Sequence, residues 1–82
     1  MTTPISIEHL RSKLETMKAE MDSGRMRHGE YDQRLARLIQ ELRDRRVDAD
    51  RPALSAALDE LLERKVITPA VKEHLTKRLG LS

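Results

Sequence analysis

The stretch MKAEMDSGRMRHGEYDQRLARL, residues 17–38, decides the fold because a second version of it follows later in the chain. The second version is LDELLERKVITPAVKEHLTKRL, residues 58–79, displaced by 41 positions. The apolar positions correspond, so that Met17, Met21, Met26 and Leu38 align with Leu58, Leu62, Ile67 and Leu79. Each repeat has an apolar helical stripe, a short basic turn and a second helix. This pattern predicts two stacked helical hairpins.

Around the repeats, residues 6–46 predict the first hairpin, with helices over 6–23 and 29–46. Ser6 is placed to cap the first helix, and Ile5 to pack against Leu10 as a hydrophobic staple. Apolar residues three and four apart form a narrow seam on this helix, which is typical of a coiled coil or a long antiparallel hairpin and is also a candidate docking surface for a second copy or a partner. The seam contains Ile7, Leu10, Leu14, Met17 and Met21. The second helix has a wider stripe, formed by Tyr31, Leu35, Leu38, Ile39 and Leu42.

Residues 51–80 predict the second hairpin, with helices over 51–64 and 69–79. Residues 47–50 interrupt the apolar pattern, and both Asp48 and Asp50 are candidate caps for the third helix. Thr68 followed by Pro69 is a strong helix start, because threonine caps and proline fits the first helical position. The expected inward faces are Leu54, Ala57, Leu58, Leu61 and Leu62, then Val71, Leu75 and Leu79. Altogether the sequence predicts an all-α fold and a single helical domain over residues 1–82.

Composition excludes several classes of protein. The chain has 82 residues and no cysteine, so it is neither a disulfide-stapled scaffold nor a protein with a thiolate metal site or thiol nucleophile. The N-terminus lacks the pattern of a signal peptide, and no apolar run is long enough to span a membrane. We therefore expect a cytoplasmic protein. Sixteen basic and 14 acidic residues are well mixed, which indicates neither a basic arm nor an acidic tail.

The turn of the first repeat resembles the short helical module called SHOCT. That module has a leucine-rich helix, a Gly-x-Ile-Thr turn, an acidic–aromatic pair and a final helix. Gly24, Met26, Glu30 and Tyr31 match the pattern, whereas Arg27 stands where the family prefers threonine. This departure predicts a weaker helix cap at that position.

The second repeat matches the same module at different positions. Ile67 and Thr68 fit the turn, but Lys65 replaces the glycine, and Val71 and Lys72 replace the acidic–aromatic pair. Each match covers about a third of the chain. The resemblance implies a module that mediates oligomerisation or protein contacts and has no catalytic residues.

No pattern in the sequence predicts catalysis, a cofactor or a metal site. His9, His28 and His74 are dispersed, and none has a second histidine three or four residues away. Many carboxylates stand four residues before a basic side chain, the order that stabilises a solvated helix face. These pairs are Glu30–Arg34, Glu41–Arg45, Glu60–Arg64 and Glu73–Lys77. We therefore expect that the protein is not an enzyme.

Binding of another protein is the function that the sequence favours, with self-association into a dimer as the expected assembly. The candidate contact residues follow the first turn and are Arg25, Met26, Arg27, Tyr31, Arg34 and Arg37. Tyr31 has two open interpretations, an interface anchor or a core tyrosine. A first alternative is a phage or mobile-element inhibitor of the anti-CRISPR or anti-defence type that docks on a host protein complex. A second is a small nucleic-acid-binding regulator, although acidic residues interrupt its basic stripe.

Overall fold

Four α-helices make up most of the described chain, which comprises residues 4–27, 29–47 and 49–81 of a computed structural model. The helices are α1 (Ile7–Asp22), α2 (Glu30–Arg45), α3 (Arg51–Glu63) and α4 (Pro69–Arg78). Each begins and ends within one residue of its predicted boundary, so the all-α prediction is confirmed. Within these ranges, none of the helices has both the length and the apolar character needed to cross a bilayer.

Three of the helices start at a side chain that caps a backbone N–H group, as the sequence predicts. The acceptors are Ser6 for His9 N–H at 3.1 Å, Asp50 for Ala53 N–H at 2.9 Å, and Thr68 for Val71 N–H at 3.2 Å. Asp48, the other candidate cap for α3, lies outside the described residues. Helix α2 differs, because its N-cap is Gly29 and no side chain bonds to its first turn from there.

The core is formed by the predicted apolar stripes of all four helices together with Ile5 and Ile67. Its main cluster is Ile5, Leu10, Leu14, Met17, Leu35, Leu38, Ile39, Leu42, Leu54, Leu58, Leu61, Ile67 and Leu75. Leu62, Val71 and Leu79 were expected to face inward and are partly buried against this cluster. Most of the predicted core is therefore confirmed.

The seam on α1 is covered inside the monomer, so the expectation that it offers a docking surface is wrong for most of its length. Leu10 and Leu14 are fully buried and Met17 is 3% exposed. Met21, at the end of the seam, is 46% exposed. The seam is covered because α1 packs on α3. Leu10, Leu14 and Met17 cannot serve both the core and an interface, because the core already removes their apolar surface from water.

Ion pairs indicate how the helices run relative to one another. On α1, His9 lies 3.2 Å from Glu41 of α2, and Glu20 pairs with Arg34 of α2, which makes these two helices antiparallel. Between α1 and α3, Arg11 lies 2.6 Å from Glu60 and Glu15 lies 3.2 Å from Arg64. Because both sequence numbers increase together, these two helices run in the same direction. Helix α3 also packs against α4. These contacts are compatible with two hairpins, whose pairing stays a prediction.

The turns that end α1 and α3 share one backbone structure at repeat-equivalent positions. Gly24 has a φ of 76° and Lys65 a φ of 62°. In each turn this left-handed residue donates its N–H three residues back, and the next residue donates five residues back. The bonds are Gly24 to Met21 at 3.1 Å, Arg25 to Glu20 at 3.0 Å, Lys65 to Leu62 at 3.0 Å, and Val66 to Leu61 at 2.9 Å. The sequence repeat is thus a repeat of backbone conformation at these turns.

Candidate binding site, an arginine-lined cleft

Three of the sequence-predicted contact residues lie in the loop between α1 and α2. Arg25 and Arg27 are exposed, while Met26 is partly buried against the core. The backbone N–H of Arg27 donates to the Glu30 carboxylate at 2.9 Å, which ties the loop to the first turn of α2. The side chains of Arg25 and Arg27 form no ion pair with a described carboxylate, so they remain available for contacts.

Tyr31 is partly buried in the first turn of α2 and packs against the core cluster. Burial of the phenol raises the pKa of Tyr31 above its ordinary value of 10.0, and the nearby Asp32 carboxylate raises this pKa further. The side chain therefore contributes to packing while part of its surface stays in contact with water. Both interpretations of Tyr31 keep some support, since a half-buried tyrosine can also anchor a partner.

Arg34 and Arg37 lie on a different surface, along the groove between α2 and α1. Arg34 pairs with Glu20 of α1, so the predicted pairing of Arg34 with Glu30 is wrong. Glu30 instead accepts the backbone N–H of Arg27, because its place in the first turn of α2 directs it toward the preceding loop. Arg34 and Arg37 line a cavity of about 220 Å³ together with Lys13, Met17, Leu38 and Glu41.

A larger concave surface, which we call the arginine cleft, lies where the chain passes from α2 to α3. Its volume is about 330 Å³. Apolar side chains form its inner wall and arginines form its rim. The wall consists of Leu42, Val47, Ala49, Leu54, Leu79 and Leu81, and the rim of Arg43, Arg46, Arg51 and Arg78. None of these arginines was predicted from the sequence to be a contact residue.

Three chain segments bring these arginines together. Arg43 and Arg46 belong to the end of α2, Arg51 opens α3, and Arg78 ends α4. The Arg51 guanidinium lies close to Gly80, since one of its nitrogens is 4.0 Å from the position that a Cβ atom would take there. The side chain of the first residue of α3 therefore reaches the segment that follows α4. The cleft therefore depends on tertiary packing.

The connection after α2 is held by the N-terminal segment. The N–H of Ile5 donates to the carbonyl of Arg46 at 2.9 Å, and Ile5 forms an isolated parallel bridge with Val47. Ile5 is 1% exposed, so its side chain anchors this bridge in the core. The bridge keeps the backbone at one edge of the cleft in place.

Among the described residues, the rim of the cleft has four positive charges and no negative one. No described carboxylate lines the cleft, and none of its four arginines forms an ion pair with a described carboxylate. Other arginines of the chain do have such partners, namely Arg11, Arg34, Arg45 and Arg64. Four like charges around a wall of low dielectric produce a positive potential that attracts anions.

Helix dipoles explain part of this arrangement but not all of it. Arg43 and Arg78 lie in the last turns of α2 and α4, where a cation is favourable. Arg51 is the first residue of α3, the end of a helix at which a positive charge is unfavourable. No described acidic side chain pairs with Arg51 to offset this cost. The carboxylate of Asp50, which caps this end of α3, reduces that cost, and the helix dipole by itself does not account for Arg51 at the rim of the cleft.

The backbone of Arg46 is strained. Its φ of 62° and ψ of 154° lie in a region that residues other than glycine rarely occupy. Its N–H donates to Leu42 and its carbonyl accepts from Ile5, both at 2.9 Å, so the surrounding structure holds it there. Such strain is common at ligand-binding residues. In this protein it coincides with the rim of the cleft.

Neither the histidines nor the acidic residues of the described chain form a metal site. No group of three or more His, Asp or Glu side chains is placed to hold a metal ion within the described ranges. His28 lies outside those ranges. The resemblance to SHOCT stays a hypothesis, since comparisons with protein-family models, with curated proteins and with solved structures find no significant match to this chain.

Proposed function

We propose that this chain is a non-catalytic protein-binding module and that the arginine cleft is its principal contact surface. The observation that carries this proposal is the convergence of four arginines, all without a described ion-pair partner, on an apolar wall. Arginine is enriched among the residues that dominate protein interfaces, and its planar group binds carboxylates through two parallel hydrogen bonds.

The cleft favours a different protein over a second copy of this chain. In a two-fold dimer centred on the cleft, the arginines of one copy would face the arginines of the other. Such like-charge contacts oppose association. Apolar contacts would add little to the stability of such a dimer, because Met21 is the one large apolar side chain that is exposed among the described residues. A dimer remains a separate prediction, and light scattering over the micromolar range tests it.

Two charge-matched variants test the proposal. The first, R43Q/R51Q/R78Q, removes three arginines from the cleft, and the second, R25Q/R27Q/R37Q, removes three of the sequence-predicted contacts. All six side chains are exposed and form no ion pair with a described carboxylate, so both variants should fold. Each variant is immobilised and compared with the unmodified chain for proteins captured from a lysate of the source organism, quantified by mass spectrometry.

We expect the cleft variant to lose its partner and the loop variant to retain it. The reverse result would move the contact surface to the loop between α1 and α2. Capture that is insensitive to both variants would contradict binding through either basic surface. A single stoichiometric host target that becomes inactive on capture would support the inhibitor hypothesis, in which the chain uses the same contacts to block a host complex.

Nucleic-acid binding is the second candidate because phosphates would also satisfy the four arginines. The cleft is less suited to it, since the chain has one aromatic residue and Tyr31 does not line the cleft. Fluorescence anisotropy with labelled DNA and RNA decides this question at about 50 mM and about 200 mM salt. A steep loss of affinity over that range would support phosphate contacts. Absence of binding at both concentrations would end this alternative.

A further inference from the structure

The dimensions of the arginine cleft restrict its occupant. A volume of about 330 Å³ is at the lower end of the range for ligand pockets, and it is open to the surface rather than enclosed. It therefore suits one or two side chains of a peptide better than a whole helix or a folded loop. The end of α2, the start of α3 and the residues after α4 border it.

The inner wall of the cleft selects an aliphatic group. Leu42 and Leu54 are almost completely buried beneath it, whereas Val47, Leu79 and Leu81 are partly exposed within it. The three partly exposed side chains would lose water contact if an aliphatic side chain were inserted among them, and that burial is favourable. No aromatic ring lines the wall, so it offers no stacking surface for a nucleobase.

The rim selects carboxylates on either side of that aliphatic group. Arg43 and Arg46 approach from α2, while Arg51 and Arg78 approach from α3 and α4. Arginines on separate elements can each bind a different carboxylate of an extended peptide. None of them must first break an internal ion pair, because no described carboxylate occupies them.

We infer that the arginine cleft binds a short acidic segment of a partner protein, in which an aliphatic residue stands between carboxylate side chains. This inference rests on the proposed protein-binding function and specifies the partner. Arg46 holds a strained backbone conformation at the rim. A glycine there would relieve the strain but remove a guanidinium from the rim.

The probe is a fluorescein-labelled peptide of sequence Asp-Glu-Leu-Glu-Asp, titrated with the full chain and followed by anisotropy. One control peptide replaces the four acids by their amides, and a second replaces leucine by serine. We expect saturable binding of the probe, no binding of the amide peptide, and roughly tenfold weaker binding of the serine peptide. Equal affinity for probe and amide peptide would overturn the inference.

Variants of the chain locate the binding on the cleft. We expect Arg51→Gln to weaken the probe roughly tenfold, whereas the exposed control Arg25→Gln leaves its affinity unchanged. Arg46→Gly should weaken the probe while raising the melting temperature. A cleft variant that binds the probe as well as the unmodified chain contradicts the site.

Two further outcomes separate this inference from the proposed function. A labelled single-stranded oligonucleotide that binds more tightly than the acidic peptide, and that Arg51→Gln weakens, would assign the cleft to nucleic acid. If the unmodified chain captures a protein in a manner that depends on the cleft arginines but binds no acidic peptide, the proposed function stands and the acidic segment is wrong. If the unmodified chain neither captures a protein through the cleft arginines nor binds the acidic peptide, both proposals fail.

Discussion

The repeats 17–38 and 58–79 have the same turn but start their second helices differently. Gly24 and Lys65 both adopt a positive φ, and equivalent backbone bonds close the two turns. After the turn, α4 begins at Pro69, whereas α2 begins at Glu30, two positions later in the register of the repeat. The comparison teaches that backbone hydrogen bonds alone can end a helix, while the side chain at the cap decides where the next helix begins.

The cap residues explain this displacement. Thr68 bonds to the N–H of Val71 through its hydroxyl and allows α4 to begin at once. Its equivalent, Arg27, has no short side-chain acceptor and bonds to Glu30 only through its backbone: its N–H donates to the Glu30 carboxylate, and its carbonyl accepts from the Glu30 N–H. Gly29 then precedes α2 with a φ of 83°. The missing cap at this position therefore accompanies a longer first loop and a later start of α2.

The repeat-equivalent core residues Leu58 and Met17 belong to different helices, and we expect their substitution to give the largest difference in stability between the repeats. Leu58 is fully buried and Met17 is 3% exposed at the equivalent position. Helix α3 packs against both α1 and α4, so removal of the Leu58 side chain leaves a cavity that neighbouring helices cannot easily close. We predict that Leu58→Ala costs about 3–5 kcal/mol of unfolding free energy and Met17→Ala about 2–3 kcal/mol. Urea unfolding measures both, and equal losses would contradict the central role of α3.

Substitutions at the helix caps should give the next largest difference in stability between the repeats. Thr68→Ala removes a hydroxyl that accepts an N–H bond and should cost about 1 kcal/mol of stability. Arg27→Ala should be nearly neutral, since the Arg27 side chain caps nothing in the described structure. Arg27→Thr is the informative variant, because a restored cap should stabilise the protein. Thermal unfolding of the three variants tests this, and no gain from Arg27→Thr would show that Gly29 independently determines the start of α2.

Substitution of the left-handed residue should lower the free energy of unfolding in the first turn and raise it in the second. Gly24→Ala places a Cβ in open space but in a backbone conformation that alanine disfavours, and should cost about 1 kcal/mol. Lys65→Gly removes the same penalty, partly offset by the greater freedom of glycine in the unfolded chain, and should gain about 0.5 kcal/mol. Equilibrium unfolding measures both. A loss of stability in Lys65→Gly would mean that the Lys65 side chain makes a stabilising contribution of its own.

Tyr31 and its repeat equivalent Lys72 should give the smallest difference in their contributions to stability, and this difference should be seen only at alkaline pH. Lys72 pairs with Asp59, whereas burial raises the pKa of the Tyr31 phenol above its ordinary value of 10.0. Because this pKa is higher in the folded state, the neutral phenol favours folding. That contribution is fully present below the ordinary pKa and is lost as the pH rises through the folded pKa.

Comparison of Tyr31→Phe with the unmodified chain isolates this effect. We expect the unmodified chain to lose slightly more stability than Tyr31→Phe between neutral pH and pH values above the folded-state pKa of Tyr31. Thermal unfolding as a function of pH measures the difference. Parallel stability profiles would show that the phenol has the same pKa in the folded and unfolded chain.

The candidate site could be predicted from the sequence only in part. Arg25 and Arg27 are indeed exposed beside the first turn, because polar residues in a short loop have little to pack against. Arg34 was predicted to pair with Glu30 and to contact a partner, but it pairs with Glu20, a residue of another helix. The cleft has no signature in the sequence, because basic residues such as Arg43 and Arg46 are ordinary at a helix C-terminus and because Arg51 and Arg78 stand far from them in the chain.

The sequence by itself determined the four helices, their caps and most of the core. These features follow from local physics: apolar residues three and four apart, a threonine or aspartate before a helix, and a left-handed residue after one. Tertiary structure alone decided that α1 packs on α3, that the α1 seam is buried, and that arginines from α2, α3 and α4 share one cleft. Packing between distant segments chooses among faces that local patterns leave equivalent, and long-range proximity of charges has no local signature.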